Sequence, residues 1–361
     1  MFIFDAHLDL AMNAMEWNRD LRCDLPELRN RESGQTDKRD RGNGVVSFPA
    51  MRRGNIGLCV ATQIARQVKP GSSLSGWLSA EQAWAHTQAQ LAWYRAMEEQ
   101  GHLKQITTKA ELVAQLETWG DNDAGKVDAP APPIGYVLSL EGADSIVNLD
   151  YLHRAHEYGL RALGPAHYGP GTYSAGTEAE GGLTDKGREL LKEMSRLGMI
   201  LDVTHLTDSA LTESFDTYDG PLWASHCNCR SLVPHQRQLS DESIRHIVER
   251  QGVIGVVFDA WMMVPGWVRG EHTPESTQLT LSHIVEHIDH VCQLAGNANH
   301  IGIGSDLDGG YGTEQCPTDV DSIERLQNIA PLLRERGYSP RDIEQIMSRN
   351  WINFLERAWK S

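Results

Sequence analysis

Eight short apolar runs punctuate this chain, and all but one end on a histidine or a carboxylate. They are Met1–His7 (MFIFDAH), Ile56–Ile64 (IGLCVATQI), Ile134–Glu141 (IGYVLSLE), Leu160–His167 (LRALGPAH), Met199–His205 (MILDVTH), Pro221–His226 (PLWASH), Val253–Asp259 (VIGVVFD) and His300–Asp306 (HIGIGSD). Most are continuously apolar rather than alternating. That pattern suits parallel strands covered on both faces. Segments of helical period separate most of them: Ala80–Glu99, Thr184–Leu197, Asp241–Gln251 and Leu281–Leu294. Thr184 and Ser240 are N-cap residues by type, and Asp208 opens a further helix toward Phe215. A strand–helix alternation repeated eight times predicts an α/β fold, a (β/α)₈ TIM barrel with loop insertions and C-terminal helices. An open doubly wound sheet is the competing arrangement.

The length of 361 residues fits one barrel domain spanning 1–361, since barrels run from about 200 to over 400 residues. Two stretches break the repeat. Arg19–Asn43 is charged and irregular, and reads as a long active-site loop or partly mobile lid after the first strand. Gly120–Pro133 reads as a surface loop. The tail from Asp319 to Ser361 reads as three helical stretches, with Ser339-Pro340 as the cap and first position of one.

The bulk properties exclude several classes of partner. Hydrophobic residues make up 40% and charged residues 23%, as in a soluble globular protein. With 33 basic and 49 acidic side chains the formal net charge is −16. A chain so acidic is unsuited to nucleic acid or to an anionic membrane surface. Six scattered cysteines without a CxxC pair predict free thiols in a reducing compartment. The N-terminus lacks a basic n-region, the C-terminus NFLERAWKS is no anchor-attachment tail, and no stretch approaches the ~20 apolar residues that span a bilayer. The expectation is a cytoplasmic protein, with a homodimer as the commonest oligomer.

The chemistry lies in where the run ends fall. In a barrel the C-terminal ends of all strands meet at one face, which would gather His7, Asp9, Glu141, His167, His205, His226 and Asp306. His7 and Asp9 are two apart, so extended backbone points both to one side. Asp5 shares that parity but sits deeper, and reads as structural. Three histidines and two carboxylates over-supply one ion, but serve two if Glu141 bridges them. His7 and Asp9 would hold one zinc, His205 and His226 the other. Two such ions share a hydroxide that attacks a carbonyl. Asp306, in IGIGSDLDGG, would move the proton to the leaving amine, and Asp308 competes with it on parity. Cys227 and Cys229 are weak alternative ligands, because Cys-x-Cys without a second pair is no zinc pattern. His235 and Arg230 read as loop residues that touch no metal.

The ordered set DAHLD, SLEG, DVTH, SHCNCR with HQRQLSDE, and GSDLDG resembles the membrane (renal) dipeptidase family of the amidohydrolase superfamily across nearly the whole chain. The resemblance implies two zinc ions on His7, Asp9, Glu141, His205 and His226, with Glu141 as the bridge and Asp306 as the proton-transfer residue. It implies that His167 contacts the scissile carbonyl and that Arg237 binds the substrate's C-terminal carboxylate, a role suited to a bidentate guanidinium. The implied activity is hydrolysis of dipeptides, with the stereochemistry at the C-terminal position, an L- or a D-residue, left open. The loop YGPGTYSAG after His167 and the cysteines of SHCNCR depart from the family's usual pattern. The rival readings are another amidohydrolase reaction on the same metals (an N-acyl amino acid, a lactone or a phosphoester) and a non-catalytic binding protein.

Overall fold

The computed structural model describes residues 1–120 and 132–359. Most of the expected Gly120–Pro133 loop lies outside the described residues. The strands are β1 (Ile3–Leu8), β2 (Ile56–Ile64), β3 (Leu103–Gln105), β4 (Ile134–Glu141), β5 (Leu160–Gly164), β6 (Ile200–Asp202), β7 (Leu222–Trp223), β8 (Ile254–Val256) and β9 (Ile301–Ile303). They pair in the order β7-β6-β5-β4-β2-β1-β9-β8, each pair parallel. The two ends of this sheet meet. Ala224 bridges Ile254, its N–H donates to Val253 O at 3.0 Å, and it accepts from Gly255 N at 2.8 Å. The sheet therefore closes as an eight-stranded TIM barrel, which excludes the open doubly wound alternative. β3 stands off this path against Ile134–Tyr136 of β4. It is too short and too polar (LKQ) for periodicity to reveal.

Strand parity sorts the core into two layers. Phe4 and Ala6, Leu58 and Val60, Val137, Ala162, Ile200 and Trp223 cluster together with Trp351, Ile352, Phe354 and Leu355 of the last helix, Asn350–Ala358. Residues of opposite parity, such as Ile3, Cys59, Ala61, Tyr136 and Leu138, pack into the larger cluster with the surrounding helices. The last helix is stitched to β9, with Trp351 Nε1 donating to Ile303 O at 3.0 Å and Asn350 Nδ2 to Ile301 O at 2.7 Å. The glycine at 302 permits this: a Cβ there would lie 2.2 Å from Trp351 Nε1.

Local sequence sets the helix starts. Ser79, Thr184, Ser240 and Ser339 each accept an N–H of the first turn, and Ser79 forms a full capping box with Gln82. The helix after β6 begins at Asp208, capped by Thr207. The segment Arg19–Asn43, expected as a long active-site loop or partly mobile lid, borders the cavity at the barrel's C-terminal face through Lys38. It holds the helix Leu25–Arg31 and a buried ion network. Arg19, whose side chain is fully buried, donates to Glu32 at 2.9 Å, Asp40 at 2.9 Å and Asn13 at 2.8 Å. Among the described residues, no helix is long and apolar enough to cross a membrane.

Candidate metal centre

Each expected site residue sits at the C-terminal face of the barrel, but the strands stop sooner than their apolar runs suggest. β5, β6, β7 and β9 end at Gly164, Asp202, Trp223 and Ile303. His167, His205, His226 and Asp306 therefore follow the strands rather than close them. His205 and Asp306 adopt left-handed backbone, with φ of 69° and 58°. β1 carries a register irregularity between Asp5 and Leu8, just where His7 lies. Asp9 has left the strand and stands at the N-cap position of the helix Leu10–Glu16 without a side-chain cap bond. Extended parity alone thus does not account for the pairing of His7 with Asp9.

Glu141, at the end of β4, is the centre of the arrangement. Its Oε2 lies 3.8 Å from His7 Nε2, while its Oε1 lies 3.0 Å from His205 Nε2 and 3.4 Å from His226 Nε2. His7 Nε2 also lies 3.9 Å from Asp9 Oδ1 and 3.7 Å from Asp306 Oδ1. The two oxygens of one carboxylate thus face two groups of donors. His7 with Glu141 and His226, Glu141 with His167 and His205, and His7 with Asp9 and Asp306 each bring their ligand atoms within 4.8 Å of one another.

These residues fit a divalent cation. His7 Nε2 is buried and has no hydrogen-bond partner among the described residues, and such orphaned atoms are rare unless a ligand uses them. Burial pushes His7 down to about 3, helped by the charge of Arg237, and drives His205 and His226 well below the ordinary histidine range. All three are neutral imidazoles at pH 7, the form that binds metal. Burial pushes Asp9 up to about 6 and holds Glu141 and Asp306 well above the carboxylate range, the charge of Asp9 adding to both. Three carboxylates crowded out of water resist ionising together, and a cation among them reverses that. Nitrogen and carboxylate oxygen donors are a set that zinc accepts.

Hydroxyls orient the set. His205 Nδ1 meets Thr177 Oγ1 at 2.9 Å, His226 Nδ1 meets Ser225 Oγ at 2.9 Å, and His7 Nδ1 lies 3.4 Å from the same Ser225 Oγ. A hydroxyl can accept Nδ1–H and so leave the Nε2 lone pair free for a metal. Thr62 donates to Asp9. Thr177 directly follows the loop YGPGTYSAG, which packs so closely that a Cβ at Gly176 would lie 1.9 Å from His167 O. Asp5 is fully buried and accepts from Ser305 N at 2.8 Å, from Ser305 Oγ and from His7 N at 3.3 Å, which is the structural role expected of it.

The remaining candidates separate by position. Asp308 is fully buried outside the candidate ligand groups, accepting from Val45 N at 2.9 Å and Val46 N at 2.9 Å, with Arg19 3.8 Å away. Asp306 faces the cluster instead. Cys229 contacts His287, and Cys227 Sγ accepts from Arg237 at 3.1 Å, so neither thiol joins a ligand group. Arg237 is buried, donates to His226 O at 2.8 Å and approaches His205 Nε2 at 3.4 Å. Arg230 pairs with Asp208 at 2.7 Å, whereas His235 lines the cavity against Trp261. A cavity of about 1150 Å³ opens over the site, walled by Arg66, His167, Tyr168, Arg237, Trp261 and Asp306 among others. Arg66 was not legible in advance. Its one signal is a cation two residues beyond the end of β2.

A TIM barrel that gathers histidines and carboxylates around Glu141 beneath an open cavity has the donor set of a candidate metal centre. The family model for membrane dipeptidase (peptidase family M19) matches residues 1–360, and the chain belongs to that family. It is 31% identical over 235 residues to dipeptidase tcpJ of Claviceps purpurea, covering 62% of this chain and 52% of that one. It is 28% identical over 233 residues to the uncharacterized dipeptidase C3A11.10c of Schizosaccharomyces pombe, covering 63% and 53%. These matches span about half the length of those curated relatives. The crystal structure of dipeptidase AC, a metallopeptidase of family M19, superposes with a TM-score of 0.80 at 26% identity, covering 100% of this chain and 99% of the other. A metallopeptidase from Rhodobacter sphaeroides, liganded with a phosphinate mimic of the dipeptide L-Ala-D-Ala, shares the fold with a TM-score of 0.78 at 24% identity and 99% coverage of both.

Proposed function

We propose that this chain is a zinc-dependent dipeptidase in which one barrel domain, residues 1–361, carries the whole site. The observation that carries the reading is the split of Glu141, with Oε2 turned to His7 and Oε1 to His205 and His226. His7 and Asp9 would hold one zinc ion and His205 and His226 the second, with Glu141 between them. Bound zinc supplies a water acidic enough to ionise near neutral pH, and it polarises the carbonyl under attack. Asp306 takes the proton of the attacking water and hands it to the leaving amine. His167 donates to the carbonyl oxygen as charge develops there. Arg237 has no carboxylate within 4.0 Å among the described residues, which leaves its charge for the substrate's C-terminal carboxylate. The cavity of about 1150 Å³ has room for a dipeptide, and the ligand of the Rhodobacter sphaeroides metallopeptidase, a mimic of L-Ala-D-Ala, supports including dipeptides with a C-terminal D-residue in the substrate class.

The test is a panel of L,L- and L,D-dipeptides, N-acyl amino acids, lactones and phosphoesters, offered to zinc-reconstituted and chelator-stripped protein. Release of free amino acids from dipeptides by the reconstituted protein alone is expected. Turnover confined to lactones or phosphoesters would replace the dipeptidase reading.

A further inference from the structure

His167 stands apart from the other three histidines of the site by what touches its Nδ1. His7, His205 and His226 turn Nδ1 to hydroxyls. His167 turns Nδ1 to the guanidinium of Arg66. A hydroxyl accepts or donates as needed, but a guanidinium has only N–H groups and does not lose its charge in a protein. The Nδ1 of His167 must therefore be the acceptor. In a neutral imidazole the proton then sits on Nε2. An imidazolium would set two donors against each other.

Nε2 is the atom that faces the site, 3.8 Å from Glu141 Oε1, and the His167 ring lies 4.4 Å from that of His205. On distance alone His167 is a plausible third ligand beside Glu141 and His205. A protonated Nε2 has no lone pair for a metal and one hydrogen to give. We propose that Arg66 is a positioning residue that fixes His167 as its Nε2–H tautomer, which bars His167 from the metal and makes it a donor to the scissile carbonyl oxygen.

Arg66 is held where this requires. Its Nη1 donates to Ser75 O at 2.8 Å, and its backbone O accepts from Trp77 N at 2.8 Å, so the loop after β2 folds back on itself. Buried Asp144 then ties that loop to the one carrying His167, accepting from Gln67 N at 3.1 Å and Thr172 N at 2.7 Å. Among the described residues no carboxylate pairs with Arg66, and its Nε is buried without a partner. The guanidinium is thus committed to His167 rather than to an ion pair.

The donor role rests on the dipeptidase reading; the tautomer does not. The test uses full-length protein carrying ¹⁵N-histidine and stripped of metal by chelator. Long-range ¹H–¹⁵N spectra report which ring nitrogen bears hydrogen, with His167 assigned from its absence in His167→Gln. The expected result is a bare Nδ1 and a protonated Nε2. A protonated Nδ1 with a bare Nε2 overturns the proposal. Arg66→Met is expected to move His167 toward the other tautomer and Arg66→Lys to retain the wild-type one; an unchanged ring in Arg66→Met removes Arg66 as the cause. With zinc restored, Arg66→Met should lower kcat about 10- to 100-fold with little change in KM, and Arg66→Lys should recover part of the loss. Unchanged kcat alongside a shifted tautomer overturns the donor role. If wild-type protein cleaves no dipeptide, the functional reading fails, and the spectra still decide the tautomer.

Discussion

Replacing Arg237 by methionine tests how the substrate is held, and the structure sets the size of the effect. A guanidinium carries five N–H donors. Here Nη1 serves Cys227 Sγ at 3.1 Å and Nη2 serves His226 O at 2.8 Å, so donors remain for an incoming carboxylate. Hydrogen bonds to charged groups contribute about 1.5–3 kcal/mol each. A bidentate carboxylate therefore gains about 3–6 kcal/mol, equivalent to roughly 10²- to 10⁴-fold in kcat/KM. Arg237→Met should lose that factor on free dipeptides. It should lose almost nothing on the matching dipeptide amides, which lack the carboxylate. Wild-type protein should discriminate between acid and amide by a similar factor, and the variant should not. The assay is steady-state kinetics on paired acids and amides at saturating zinc. An equal loss on both would refute the reasoning, because Arg237 would then be supporting His205 and His226 rather than reading the substrate.

Three further outcomes follow from contacts elsewhere. Thr177→Val removes the hydroxyl 2.9 Å from His205 Nδ1 and should weaken zinc binding about 10- to 100-fold; unchanged affinity in a competitive chelator titration would remove Thr177 from the support of the site. Burial, with the charge of His290 second, pushes His287 from an ordinary 6.5 down to about 3, so the folded chain keeps it neutral while the unfolded chain protonates it. Its contribution is whole above pH 6.5 and is lost as pH falls from 6.5 toward 3, at up to about 1.4 kcal/mol per pH unit. His287→Gln should flatten urea-derived stability across that window, and parallel slopes would contradict it. Arg19→Met takes the buried guanidinium from Asp40 and from Glu32, of which Glu32 keeps Arg41 at 2.8 Å, and should cost about 3–5 kcal/mol, while turnover per folded molecule stays unchanged; a loss under about 1 kcal/mol would show that the network contributes little to stability.

The barrel was legible because parallel strands covered on both faces leave apolar runs that surface strands do not. Ile56–Ile64 and Ile134–Glu141 match the observed strands residue for residue. The shorter strands were over-read: runs such as MILDVTH continue past the last paired residues into buried residues beside the site, and burial looks alike in sequence. The histidines and carboxylates that gather at the C-terminal face of the barrel were legible by type and by place. Their supports were not, since Thr62, Thr177 and Ser225 are ordinary hydroxyl residues until the fold sets them against Asp9, His205 and His226. Arg66 was invisible for a related reason. Its meaning depends on Asp144 joining two loops that lie far apart in the chain. The order within Arg19–Asn43 was hidden because a charged, irregular stretch gives no periodicity, whereas the fold turns Arg19, Glu32 and Asp40 inward to pair with one another.

The most direct test of the account is a zinc titration of chelator-stripped protein, with bound metal and release of free amino acids from a dipeptide followed in the same samples. Two zinc ions per chain, with turnover rising to its limit as the second binds and both signals impaired by Glu141→Gln, is the predicted result. Full turnover with one ion bound, or in Glu141→Gln with normal metal content, would contradict a site built around the two oxygens of Glu141.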